Sequence, residues 1–265
     1  MKKTDLEEIK AEEKRFMGKE MPEPEVTGKI KHYDDMKVEW LYPLSDTYYE
    51  WVKAACHACL ATWEQYPYDE INKMVDKEEK LLAILEERPI SVALEMPKFA
   101  FKITGITRAM THQLVRHRKM AFGQQSIRVV DPTGAPVRIP EAFKEMHDER
   151  ASELAKEYYA AVDANKKLYK KLVRNEVPRE QARNILPIGT TTSIVVTADL
   201  RTMIDYFKSR TIGITQGEHH YLVYLIAKEM QKVQPRFFEF ICERVNGLKE
   251  LVAKDWEKLV GGDNE

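Results

Sequence analysis

The run from Lys98 to Thr104 sets Lys98, Ala100 and Lys102 in alternation with Phe99, Phe101 and Ile103. Successive side chains of a strand point to opposite faces, so this period of two predicts a half-buried strand whose apolar face must be covered. Gly105 is expected to break it. Thr190 to Thr197 (TTTSIVVT) is β-branched enough to form another strand, and short β-favouring runs between Glu25 and Leu44 predict a strand pair, interrupted by Gly28 and Asp34-Asp35 and ended by Pro43.

The remaining chain carries helical periodicity. Asp46 is placed to cap a helix whose inward positions are Tyr49, Val52, Cys56, Cys59, Leu60 and Trp63, and a second helix fits residues 69 to 87. Residues 106 to 119 predict a third, followed by a loop near Gly123. A long helix is expected over 141 to 174, with Leu154, Tyr158, Ala161, Leu168 and Leu172 inward. Pro178 opens the next, Asp199 caps one running through Arg210, and two more fit about 215 to 232 and 236 to 259. Helices outnumber strands without alternating regularly with them. The fold class expected is therefore α+β, with helices packed on a mainly antiparallel sheet rather than a parallel βαβ winding.

The first 20 residues carry 12 charges of both signs and little apolar surface, which predicts a solvated arm over 1–24 and a single domain over 25–265. Forty-two Lys and Arg against 43 Asp and Glu leave a net charge of −1, which argues against a globally basic nucleic-acid binder. Three cysteines are too few for a disulfide scaffold and suit a reducing compartment. With neither a secretory signal nor an apolar window of roughly 18 residues, the expected location is the cytoplasm and no membrane partner is expected.

Against that neutral background, residues 96 to 130 hold Lys98, Lys102, Arg108, Arg116, Arg118, Lys119 and Arg128 and no acidic residue. Such a run repels itself unless something neutralises it, and the guanidinium fork suits phosphate. Either distant carboxylates pair with these cations or the stretch binds an anion. On a helix, Gln113 lies about one turn from Arg116 and His117, so their heads can converge on one ligand.

Within this stretch, Arg116-His117-Arg118, the segment Lys119 to Gln125 and then Ser126 resemble the signature of flavin-dependent thymidylate synthases. The string FKITGITRAMTHQLVRHR, and then Ala182-Arg183, Leu186-Pro187, Asp199-Leu200-Arg201, Arg210 and Gln216-Gly217-Glu218, follow in the family's order. The resemblance implies methylation of dUMP at C5, with methylene-tetrahydrofolate as carbon donor, FAD as cofactor, NADPH as reductant and a homotetramer with shared active sites. It implies that Arg116, His117, Arg118, Gln124, Asp199 and Asp205 hold the flavin. Gln113, Gln124, Gln125, Ser126, Arg128, Arg183 and Arg210 would hold the nucleotide. Arg210 would polarise a uracil carbonyl, and Ser126 would sit beside the reacting ring without acting as a nucleophile.

The chain departs from the family pattern at Pro89, Met96 and Ile214, where the family has His, and at Ala121, Val129 and Asp199, where it has Ser, an aromatic residue and Asn. These departures keep open a related reading, hydroxymethylation or UMP as substrate. A basic helix laid in a nucleic-acid groove is a distant alternative. No resident metal is expected: Cys56-His57-Ala58-Cys59 lacks a second cluster and fits core packing, while the adjacent His219 and His220 point about 100° apart on a helix and are expected on its surface. Phe237, Phe238, Phe240 and Ile241 fit either a partner interface or the core.

Overall fold

The computed structural model describes residues 35–41, 53–57, 69–70, 73, 83–84, 86–87, 92–140, 143, 149–212, 215 and 217–253. The N-terminal arm, the runs at Val26 and Ile30, the Asp46 cap, Cys59, Pro89, Ile214 and Gln216 lie outside them. In chain order the elements are β1 (Lys37–Trp40), β2 (Lys98–Thr107), α1 (Arg108–Leu114), β3 (Ala121–Gln124), α2 (Glu149–Arg174), α3 (Arg179–Ala182), β4 (Thr191–Asp199), α4 (Leu200–Arg210), α5 (Gly217–Val233), α6 (Pro235–Cys242) and α7 (Leu248–Ala253). The described residues divide into two compact units, one within 125–191 and one within 35–124 and 192–253.

The larger unit is a four-stranded antiparallel sheet, ordered β1-β2-β4-β3, with helices packed on it, as the α+β reading expects. Lys37 faces Thr104 and Trp40 faces Phe101 across β1 and β2, while Ala121 faces Thr197 and Gln124 faces Ile194 across β3 and β4. The alternation in β2 does what the pattern dictates: Lys98 and Lys102 are exposed, and Phe99, Phe101 and Ile103 are buried. Trp40 meets Phe99 and Phe101 edge-on at 5.7 and 5.3 Å. In β4, Ile194, Val196 and Ala198 turn inward for the same reason.

Over this sheet core lie Leu200, Met203, Ile204 and Phe207 of α4, Leu222, Val223, Ile226, Ala227 and Met230 of α5, and Phe237, Phe238, Phe240 and Ile241 of α6. The aromatic run is therefore core. Cys56 joins the same core, fully buried.

Gly105 does not end β2 as expected. It takes φ +74°, a conformation open to glycine, and the strand continues to Thr107. A Cβ here would strike the Asp35 carbonyl oxygen and lie 2.8 Å from its carbon. Gly105→Ala is expected to lower unfolding stability by about 2 kcal/mol, from left-handed backbone strain and displacement of the chain entering β1. Urea denaturation checks this, and an unchanged midpoint would contradict it.

The longer strand shortens the following helix, which covers Arg108–Leu114 rather than 106 to 119. The expected loop near Gly123 is instead strand β3, because Gly123 pairs with Val195 of a strongly β-forming neighbour. The expected 236–259 helix is two helices, α6 and α7, parted near Gly247, which takes φ +81°.

In the smaller unit, α2 buries Ala155, Val162 and Tyr169, seven residues apart. Ala161 and Leu168, expected inward, are exposed, since the stripe through 155, 162 and 169 is turned by one residue from the one expected. The Tyr158 hydroxyl donates to the Arg138 carbonyl at 3.0 Å and Lys166 Nζ to the Ala135 carbonyl at 2.7 Å, tying the Pro-rich segment to the helix.

Candidate active site

The segment from Thr107 to Arg118 is held at its start by a buried carboxylate. Thr107 caps α1 by accepting from the Met110 N–H at 3.0 Å. Glu218 of α5, 3% exposed, accepts from the Thr107 N–H at 2.8 Å and from its hydroxyl at 2.7 Å. Its negative charge sits at the positive end of the α1 dipole.

At the other end the helix stops at Leu114, and the Arg116 and His117 N–H groups donate to the Gln113 and Leu114 carbonyls at 3.2 and 3.1 Å. This tight turn sends consecutive side chains in different directions. Arg116 and Arg118 are exposed, whereas His117 turns inward. His117 lies edge-on to Tyr206 at 4.9 Å and to His219 at 6.2 Å, and its Nε2 accepts from Arg210 Nε at 2.9 Å. A guanidinium only donates, so the shared nitrogen carries a lone pair and the imidazole is neutral. Burial first, and the Arg210 charge second, lower its pKa to about 4.

Beneath this pair His219 is fully buried, its Nε2 3.2 Å from the Tyr206 hydroxyl. Burial first, then the Arg210 charge and the neighbouring imidazoles of His117 and His220, lower the His219 pKa to about 3. Burial also raises the Tyr206 phenol above its ordinary value. The expectation of a surface role for His219 is thus overturned: it continues backwards the α5 stripe that runs through Leu222, Val223 and Ile226. That spacing could have identified it from sequence.

The pairing reading of the cationic stretch holds for part of it. All three lysines are paired: Lys98 with Asp199 at 3.3 Å, Lys102 with Glu39 at 3.6 Å and Lys119 with Asp205 at 3.3 Å. Arg116, Arg118 and Arg128 have no carboxylate partner among the described residues. The compact ammonium groups are thus paired within the protein, and these three planar forks are not.

The expected site residues separate by unit. Gln113, Arg116, His117, Arg118, Gln124, Asp199, Asp205 and Arg210 belong to the larger one; Gln125, Ser126, Arg128 and Arg183 belong to the smaller. In the larger unit the side chains of His117 and Arg210 bond directly to each other. Gln124 Nε2 donates to the Thr111 hydroxyl at 3.2 Å. Asp199 caps α4, accepting from the Thr202 N–H at 2.8 Å, and lies at the opposite end of that helix from Arg210, about 16 Å away by helix rise. In the smaller unit the Ser126 hydroxyl accepts from the Arg128 N–H at 3.2 Å, so it shapes a turn, and Arg183 Nε donates to the Glu180 carbonyl at 3.2 Å. Sequence reasoning missed Thr107 and Tyr206 as parts of this architecture, and it gave Glu218 only as a family-order residue.

The donor set fits a phosphorylated cofactor and nucleotide: unneutralised guanidiniums at the surface, and Arg210 fixed through Nε with no other hydrogen bond to its side chain among the described residues. A thiol route is disfavoured for Cys242, which burial pushes up to about 11. Among the described residues, no His, Cys, Asp or Glu cluster could hold a metal ion, and no helix is long and apolar enough to cross a membrane.

Residues 45–236 match the family model described as thymidylate synthase complementing protein. A flavin-dependent thymidylate synthase from Sulfurisphaera tokodaii is 35% identical over 151 residues, covering 56% of each chain. One from Geobacter sulfurreducens is 35% identical over 147 residues, covering 55% of this chain and 61% of its own. One from Pyrococcus furiosus is 33% identical over 218 residues, covering 74% of this chain and 86% of its own. The chain thus spans just over half the length of the first of these relatives and most of the last.

Proposed function

This chain belongs to the thymidylate synthase complementing protein family, and from that premise we propose that it methylates dUMP at C5 to give dTMP. Bound reduced FAD supplies the hydride in this reading, and methylene-tetrahydrofolate the carbon. The observation that carries it is the division within the cationic stretch, in which the lysines are paired while Arg116, Arg118 and Arg128 have no carboxylate partner among the described residues.

In this reading Arg116 and Arg118 grip the flavin's phosphates and His117 stands beside them, with Gln124, Asp199 and Asp205 on the flavin side. Gln113, Gln124, Gln125, Ser126, Arg128 and Arg183 hold the nucleotide, the 25–265 domain working as one catalytic body. Arg210 polarises a uracil carbonyl as negative charge collects there, with Nε anchored on neutral His117 and its two terminal amino groups toward the substrate. Anchoring the fork before substrate arrives reduces the reorganisation needed during reaction. Ser126 orients the ring and is not a nucleophile, consistent with its turn-forming bond.

NADPH as reductant, a cytoplasmic location and a homotetramer with shared active sites complete the reading. The related readings, hydroxymethylation or UMP as substrate, and the nucleic-acid-binding module, are not favoured by relatives named thymidylate synthases. Replacement of the C5 hydrogen gives a direct test. With FAD, NADPH and methylene-tetrahydrofolate, the protein is expected to release tritium from 5-tritiated dUMP and form dTMP. Release of no tritium by FAD-loaded protein would contradict the reading.

A further inference from the structure

His219 occupies a position that packing alone does not explain. It is fully buried, its Nε2 is bonded to Tyr206 and its Nδ1 has no hydrogen-bond partner among the described residues. A leucine or phenylalanine would fill such a place without desolvating a ring nitrogen. What the imidazole adds is a polar contact to the hydroxyl of Tyr206. That residue lies one helical turn before Arg210 on α4, so both present side chains to the same face, where His117 sits.

Resting on the reading that Arg210 faces the uracil, we propose that His219 is a positioning residue, fixing the Tyr206 ring as the seat against which His117 is oriented to accept from Arg210. The chain of contacts is continuous: His219 Nε2 to the Tyr206 hydroxyl at 3.2 Å, the Tyr206 ring to the His117 ring at 4.9 Å, and His117 Nε2 to Arg210 Nε at 2.9 Å. His219 also meets the His117 ring directly at 6.2 Å, edge-on. The titratable or charged groups facing the two imidazoles are Arg210 and Tyr206 from α4 and His220 from α5. None of these is an anion near neutral pH, so nothing among them favours an imidazolium, and the pair works as neutral rings. Tyr206 and His219 thereby set Arg210 without touching the substrate.

The experiment follows the His117 ring by NMR in the full chain without FAD or nucleotide, alongside steady-state kinetics with dUMP. In the unaltered protein the His117 midpoint is expected to lie well below the usual imidazole value, at about 4, because of burial and the Arg210 charge. In His219→Phe, which keeps a flat ring and removes both nitrogens, the His117 midpoint is expected to rise by about one pH unit as its bond to Arg210 loosens. The kcat for dUMP is expected to fall about tenfold while KM changes by less than about twofold, because the disturbed contact matters most in the transition state. His219→Gln, which can still bond to Tyr206, is expected to recover most of the rate. Tyr206→Phe cuts the same bond from the other side and serves if His219→Phe does not fold.

A His117 midpoint unmoved in either folded variant overturns the proposal, as does a lower melting temperature with kcat unchanged. The titration needs neither cofactor nor substrate, so it decides the positioning role by itself. An inactive unaltered protein would count only against the proposed reaction.

Discussion

Arg210→Ala is expected to lower kcat for dTMP formation by about 10²- to 10³-fold, the loss typical when one preorganised donor to a developing oxyanion is removed. Arg210 closes α4, and its Nε is committed to His117 at 2.9 Å, so the guanidinium plane is set before substrate arrives. Alanine removes the donors and leaves His117 with an unused acceptor. Arg210→Lys is expected to recover little, since an ammonium cannot both bond to His117 and present a planar fork. The folded state should survive in both variants, because Arg210 is only partly buried and its loss relieves a charge acting on His117. Stopped-flow and steady-state assays with FAD-saturated protein measure the effect; a loss under about threefold would remove Arg210 from the chemistry.

The second large effect concerns acid. His117 and His219 have native pKa values of about 4 and about 3, against 6.5 for a free imidazole. The unfolded chain therefore binds protons on these rings at a pH where the native chain does not, and the native state is penalised as acid is added. Their contribution to stability is fully present above pH 6.5 and is lost progressively as the pH falls through the native values. Between about pH 7.5 and 4.5 the loss is expected to be about 3 kcal/mol, mostly from His219, since solvent screens part of the effect at half-buried His117. Urea midpoints across this range should fall, and His219→Phe should flatten the slope. An identical slope in that variant would contradict the assignment.

Much of the fold is legible because its strongest signals are local. Alternation at 98 to 104 predicts β2, β-branching at 190 to 197 predicts β4, and Asp199 is both the expected and the observed cap of α4. Signals of tertiary origin are not legible in this way. Ala121–Gln124 is too short to identify itself as a strand and becomes one by pairing with β4. Gly105, usually a breaker, carries β2 onward because the chain at Asp35 leaves no room for a Cβ.

The site divides similarly. The clustering of cations is readable in the acid-free stretch from 96 to 130, because the absence of nearby carboxylates is a property of the sequence itself. Which cations remain open is not readable: the partners of Lys98, Lys102 and Lys119 lie 101, 63 and 86 positions away, beyond any helical or hairpin spacing. The inward turn of His117 between two exposed arginines depends on where α1 ends, and that depends on β2 running past Gly105.

Open guanidiniums that grip a flavin and a nucleotide and hold their rings together are what the proposed function requires, and the visible spectrum tests this most directly. Titrated with FAD, the protein is expected to bind it and turn yellow, and dUMP should then perturb the flavin bands. Arg116→Ala and Arg118→Ala together should weaken FAD uptake by at least about tenfold, the loss of two charge-assisted contacts. Protein that is colourless once unbound FAD has been removed, or a double variant that binds it unchanged, would contradict this.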